Sequence, residues 1–232
     1  MTATRRAALA TAAAAMGAAV LTGAAAPAPK PPAKTSGRPP APGASRWPAA
    51  PGDMNLGKPN APVRVVEYLS LACPHCAHFH EEVFPDFKAK YIDTGRVYFT
   101  VRELLTPPVE VAAAGFLMAR CGDGSKYFPI VDAVFKSQPR WQQGQIKPIF
   151  LEIAKANGLT EAQFQACITD DKAGEALENR IKYAVETDHV DSTPTFFING
   201  VKLDSQTVPS LPELDVAIAK ALKAPSSVKG RR

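Results

Sequence analysis

What most restricts how this chain can fold is a seam where a β-type run turns into a helical one, with two cysteines at the junction. Val63-Arg64-Val65-Val66-Glu67-Tyr68-Leu69 is rich in β-branched and aromatic residues and reads as a strand. After three intervening residues comes Cys73-Pro74-His75-Cys76. From Cys76 to Ile92 the pattern is helical, with Phe79, Val83, Phe84 and Phe87 as an apolar face and Pro85 expected to kink it. Arg96 to Leu104 then alternates Val97, Phe99 and Val101, a second strand. A strand–helix–strand unit favours parallel pairing, because only a crossover can bring the second strand alongside the first in the same direction.

Chemistry concentrates at that seam. With Cys73 at the N-cap, Pro74 occupies the first helical position, where its missing N–H costs nothing. Free N–H groups and the positive end of the helix dipole then face the Cys73 sulfur and favour its thiolate, the nucleophile of thiol–disulfide exchange. His75 adds a donor or a positive charge beside it. Cys76, one turn in, is within bonding reach but deeper, which suits a resolving role. A stabilised thiolate favours the dithiol and makes the disulfide oxidising. The bland reading, a structural staple, fails because so small a loop removes little chain entropy. The metal reading would use Cys73, Cys76, His78 and His80 as four zinc ligands. Cys76 and His80 share a helix face, but His78 points away, so both histidines are read as partly exposed surface and no metal is assigned.

Beyond the second strand the chain turns helical. Val109–Arg120, Ser125–Ser137, Gln145–Asn157, Glu161–Asp170 and Lys172–Asp188 are the expected helices, with Thr160 and Gln163 at capping-box spacing. Strand character returns at Thr195–Ile198 and Val201–Leu203, separated by Asn199-Gly200, a strong hairpin signal. A last helix presents Leu214, Ile218 and Leu222 on one stripe, with Ser210 and Pro212 near its start. The sum is an α/β sheet interrupted by helices: one sheet domain in two pieces, 53–105 and 190–232, around an all-helical insertion at 106–189.

The net charge of +5 belongs to the N-terminus. Residues 1–52 hold six basic groups (Arg5, Arg6, Lys30, Lys34, Arg38, Arg46) and no acid, leaving 21 basic against 22 acidic residues in the remainder. Nucleic acid is therefore not indicated. Arg5 and Arg6 followed by an uncharged, alanine-dominated run to Ala26 read as an export signal, 1–26. The run is too weakly apolar for stable retention as a membrane span, and Thr4-Arg5-Arg6-Ala7-Ala8-Leu9 faintly resembles a twin-arginine signal. Nine prolines in 27–52 mark a spacer that cannot bury enough apolar surface to fold. Four cysteines in an exported chain suggest two pairs and an oxidising compartment.

Glu67-Tyr68-Leu69-Ser70-Leu71-Ala72-Cys73-Pro74-His75-Cys76 and Thr193-Pro194-Thr195-Phe196-Phe197-Ile198-Asn199-Gly200, with helices between them, resemble the DsbA-type periplasmic thiol:disulfide oxidoreductases. The resemblance covers roughly 53–222 and implies a thioredoxin-like fold with an inserted helical domain. It implies that Cys73 attacks, Cys76 resolves, His75 stabilises the Cys73 thiolate, and a cis Pro194 packs beside the pair, with Thr193 touching substrate backbone. By the same resemblance Glu67 is the acid that exchanges a proton with Cys76; read by itself, Glu67 is equally a carboxylate on an exposed strand face. Cys121 and Cys167 lie outside the family's minimal pattern. A structural disulfide pinning the insertion, like that of one branch of the family, is expected, against two free buried thiols. The implied activity is an oxidase acting on unfolded exported polypeptides through a Cys73 mixed disulfide, without a cofactor, as a periplasmic monomer re-oxidised by a quinone-linked, DsbB-like membrane partner. A disulfide reductase or isomerase, a Cys/His metal-binding module and a holdase chaperone are the alternatives.

Overall fold

The computed structural model describes residues 48–205 and 208–223; the expected signal and most of the spacer lie outside them. Five strands form one mixed sheet in the order β1-β3-β2-β4-β5: β1 (Met54–Leu56), β2 (Val63–Leu69), β3 (Val97–Glu103), β4 (Thr195–Ile198) and β5 (Val201–Lys202). β2 and β3 run parallel in a register that pairs Val65 with Phe99 and Leu69 with Glu103, whereas β1 and β4 add antiparallel at their flanks. The short β1 was not anticipated, since three residues are too few to show an alternation. Asn199 and Gly200 carry φ of 48° and 83° at the β4–β5 turn, the left-handed backbone that an Asn-Gly hairpin requires.

Between β2 and β3 the chain stays helical over residues 74–92, alternating α turns with wider π turns. α1 (Pro74–His78) passes into a π segment at Phe79–Val83, then α2 (Phe84–Phe87), then a second π segment at Lys88–Ile92. The kink expected at Pro85 takes the form of this change in winding. Pro85 falls at the start of the new α segment, where its absent N–H is not needed.

α3 (Val109–Ala119), α4 (Tyr127–Lys136), α5 (Gln138–Trp141), α6 (Ile146–Ala156), α7 (Glu161–Ile168) and α8 (Asp171–Glu186) follow β3 without an intervening strand. α5 is a four-residue helix whose signal is hidden by Pro139. Thr160 caps α7, accepting from the Gln163 N–H while the Gln163 side chain accepts from the Thr160 N–H. Cys121 and Cys167 are joined by a disulfide between the end of α3 and α7. Closing a loop with a sequence separation of 46 stabilises the fold by about 2–4 kcal/mol. α9 (Leu211–Lys223) is the last helix among the described residues and buries Leu214 and Ile218; Leu222, expected on the same stripe, is 39% exposed.

Strand parity decides what the two faces of the sheet hold. Val63, Val65 and Leu69 of β2, with Val97, Phe99 and Val101 of β3, enter the main core with Phe79, Phe116, Tyr127 and Phe135 from the helices. Val66 and Tyr68 point the other way, to a smaller cluster with Leu104, Ala184, Val190 and Phe197. β2 is thus covered on both sides, which accounts for its nearly unbroken apolar character.

Two buried ionic knots grow from consecutive residues of β3. Arg102 is held by Asp53 at 2.7 Å and Asp188 at 2.6 Å, and also donates to the Tyr68 hydroxyl and the Pro48 carbonyl. On the opposite face Glu103 accepts from Arg120 and Arg180, both at 2.6 Å, and from the Tyr127 hydroxyl at 3.1 Å. Arg120 also donates to the Gly52 carbonyl. The end of the spacer, 48–52, is therefore tied to the sheet, and order begins before the expected Asp53.

Candidate active site

Cys73 sits just past β2, with extended backbone (φ −79°, ψ 120°), and Pro74 opens the helix behind it. The Cys73 side chain makes no cap to the helix backbone of the usual oxygen type; its sulfur occupies that position instead. Cys73 is 6% exposed and Cys76 fully buried, and both are free thiols. The burial gradient comes from the helix: Cys73 lies at its mouth, Cys76 a turn inside against the core.

The two sulfurs are driven apart in proton affinity. A hydrogen bond from the Cys76 thiol is the largest influence on Cys73, bringing it down to about 5 against the opposing effect of burial. Thr193 and the backbone N–H groups of Cys76 and His75 add to it. Cys76 moves the other way, pushed well up by burial, by its role as donor to Cys73, and by the nearby Glu67 carboxylate. One thiol is poised as an anion at pH 7 and its mate is held as an acid.

The loops around the pair are pinned from three directions. Thr193, before the cis Thr193-Pro194 bond, places its carbonyl 3.3 Å from Cys73 Sγ, which donates to it when protonated. Its Oγ1 is buried without a protein partner and can donate once that sulfur is an anion. Gln138 of α5 reaches across to donate to the carbonyls of Leu71 at 2.9 Å and Cys73 at 3.2 Å, a contact that sequence reasoning missed because a lone glutamine far along the chain carries no signal. Gly115 lets α3 approach the same loop: a Cβ there would lie 2.8 Å from Leu71 Cδ1. Beside Pro74 opens a cleft of about 410 Å³ lined by Ala72, Pro107, Pro108, Trp141 and Ile146.

His75 is exposed, and its contribution to the sulfur is made through its backbone N–H. Glu67 is fully buried, not on an exposed strand face. Parity explains it: Val65, Glu67 and Leu69 point the same way, beneath α1. Its Oε2 lies 2.9 Å from His80 Nε2, while Oε1 has no protein partner. The expectation that His78 and His80 are both partly exposed is half corrected. His78 is exposed, but His80 is 6% exposed, and its ring lies 4.8 Å from those of both Phe84 and Phe135. Cys76, His80, Phe84 and Phe87 form one helical stripe, a signal the sequence did carry. Among the described residues no group of three or more His, Cys, Asp or Glu is placed to hold a metal ion, and no helix is long and apolar enough to cross a membrane.

The depressed Cys73 value has a definite consequence for pH. Its thiolate stabilises the folded dithiol fully above the unfolded value of about 9, and that contribution is lost as pH falls through about 5. At pH 7 it is on the order of 2 kcal/mol, after allowance for solvent screening at the cleft edge. The reduced protein should show a thiolate absorbance step centred near pH 5, and its melting temperature should fall as pH drops from about 9 toward about 5 and level off below. A single step above pH 8 would refute this.

A family model described as Thioredoxin matches residues 49–214. A protein of Rickettsia bellii (strain RML369-C) bearing the name protein-disulfide oxidoreductase is 32% identical over 173 residues, 74% of this chain and 65% of that protein. The chain thus spans just under two thirds of that relative's length. Disulfide bond formation protein D of Bacillus subtilis (strain 168) is 25% identical over 158 residues, 67% of this chain and 71% of the relative. Among solved structures, Wolbachia pipientis alpha-DsbA1 superposes with a TM-score of 0.69 at 29% identity, covering 78% of this chain and 96% of the other.

Proposed function

The chain belongs to the thioredoxin family, in its DsbA-type protein-disulfide oxidoreductase branch, and from that premise we propose that it is an oxidase that donates the Cys73–Cys76 disulfide to unfolded exported polypeptides. The observation that carries the reading is the opposite displacement of the two thiols, Cys73 toward the anion and Cys76 toward the acid. A dithiol stabilised in this way yields its electrons reluctantly, so the disulfide form takes electrons from ordinary client thiols.

Each exchange conserves electrons. A client thiolate attacks Cys73 Sγ, the Cys73–Cys76 bond breaks, and Cys76 leaves as a thiolate that takes up a proton. A second client thiolate then attacks the client sulfur of the mixed disulfide, forming the client disulfide and releasing Cys73 as its stabilised anion. Cys73 leaves well because its proton affinity is low. Thr193 and Pro194 flank the sulfur where an extended client strand would lie, with Thr193 meeting the client backbone. Glu67 exchanges the proton of Cys76, and Cys121–Cys167 holds the helical insertion. Re-oxidation falls to a quinone-linked, DsbB-like membrane partner, and the protein works as a monomer in the periplasm, directed there by the residues read as a signal.

Oxidised protein mixed with a reduced, unfolded client should restore that client's disulfides within minutes, in stoichiometric amount when no re-oxidant is present. Equilibration with glutathione should give a potential well above that of a reducing thioredoxin. A strongly reducing potential would replace the oxidase by a reductase. Rearrangement of scrambled disulfides without net oxidation would replace it by an isomerase.

A further inference from the structure

A histidine in an aromatic box, hydrogen-bonded to a buried carboxylate beneath the resolving cysteine, has no role in the exchange as written above. The geometry is specific. Glu67 Oε2 is engaged by His80 Nε2 at 2.9 Å, and both side chains are buried. The other carboxylate oxygen, Oε1, is buried with no protein partner. His80 shares a helix face with Cys76 four residues earlier, and the winding changes to a π turn at Phe79, immediately before it.

Burial of such a pair is costly, because two polar groups are withdrawn from water for one hydrogen bond. The groups packed around it are otherwise uncharged. Phe84 and Phe135 lie tilted against the imidazole, Phe79 meets it edge-on, and Phe196 of β4 packs on Phe79. The charged residues of α4, Asp132 and Lys136, pair with each other in solvent, and Glu81 and Glu82 turn outward. Glu103, the other buried acid of the main core face, is held by Arg120 and Arg180. Cys76 is thus the titratable partner to which the couple answers.

We propose that His80 is a positioning residue of the exchange reaction: it fixes Glu67 by one oxygen and shares a proton with it, so that the free oxygen can take the proton of Cys76 and return it. When Cys76 attacks Cys73 in a mixed disulfide, the Cys76 S–H bond breaks and its proton passes to Glu67. The S–S bond to Cys73 then forms, and the departing thiolate carries away the electron pair. In the reverse step the Cys76 thiolate is released and takes the proton back. The imidazole accommodates the charge on Glu67 by holding or sharing a proton at Nε2, a task a glutamine in its place cannot perform. This rests on the reading that Cys73 and Cys76 exchange disulfides.

The test is the pH profile of resolution. Full-length protein is converted to a mixed disulfide of Cys73 with a small aromatic thiol, and release of that thiol by Cys76 is followed by stopped flow from pH 4 to 9. In His80→Gln, which keeps an N–H donor, and in His80→Phe, which keeps the ring stack, release at pH 7 should slow about tenfold. The profile should also move to higher pH, while alkylation of Cys73 titrates as in the wild type. Folded variants with the wild-type profile overturn the proposal. In the unaltered protein, the His80 ring-proton NMR titration should differ between the dithiol and disulfide forms; identical titrations also overturn it, whether or not the variants fold. If the wild-type mixed disulfide is never resolved by Cys76, it is the exchange reading itself that fails.

Discussion

Replacing Cys73 by serine is expected to reduce disulfide transfer to a client by at least ~10³-fold, to the uncatalysed background, because a hydroxyl at that site is neither an anion at pH 7 nor able to form the mixed disulfide. The structure makes the effect one-sided. Cys73 is the thiol lowered to about 5 and the one at the mouth of the helix; Cys76 is buried and pushed upward. Cys76→Ser should therefore leave a reactive nucleophile that captures a client but is not displaced by an internal partner. Incubated with an oxidised client, Cys76→Ser should accumulate as a covalent adduct visible by non-reducing electrophoresis and mass spectrometry, whereas Cys73→Ser should give none. Adducts of equal yield from both variants would mean that the assignment of attacking and resolving sulfur is wrong.

Glu103→Ala is expected to be the most destabilising of the polar substitutions, by about 3–5 kcal/mol, because it strands two guanidinium groups that are mostly buried. Glu103 itself is fully buried and takes Arg120 on one oxygen and Arg180 on the other, with the Tyr127 hydroxyl completing the set. These partners come from the end of α3, from α8 and from α4, so one carboxylate on the sheet ties down three helices of the block between β3 and β4. Exposed ion pairs such as Arg140–Glu152 would show far smaller losses, since solvent screens them. Urea unfolding of the oxidised protein measures both. A loss below 1 kcal/mol for Glu103→Ala would mean that the helices are held to the sheet by apolar packing alone.

The two knots also show where reading along the chain stops being informative. Arg102 and Glu103 look in sequence like a polar end to an apolar strand. Their neighbours in space are 34 to 86 residues away for Arg102 and 17 to 77 for Glu103. No local period encodes such distances. Glu67 is an intermediate case. Its parity with Val65 and Leu69 was present in the sequence, but a strand with both faces covered gives no alternation against which to judge it. His80 likewise lay on the Cys76–Phe84–Phe87 stripe; the histidine's ordinary preference for partial exposure obscured the stripe. Gln138 and Trp141 had no signal at all.

By itself the sequence determined the strand–helix junction, the proline at the first helical position, the Asn-Gly turn and the capped helix at Thr160, because each is set by the φ/ψ preferences and periodicities of residues close together in the chain. It also brought two cysteines to a helix entrance, since three residues of spacing is one turn. Only the tertiary structure decided that the Glu67 carboxylate is buried rather than exposed, that His80 holds it by one oxygen, and how far the two sulfurs part in proton affinity. Proton affinity in a core depends on burial and on partners supplied by remote segments, and these are fixed when the helices close over the sheet.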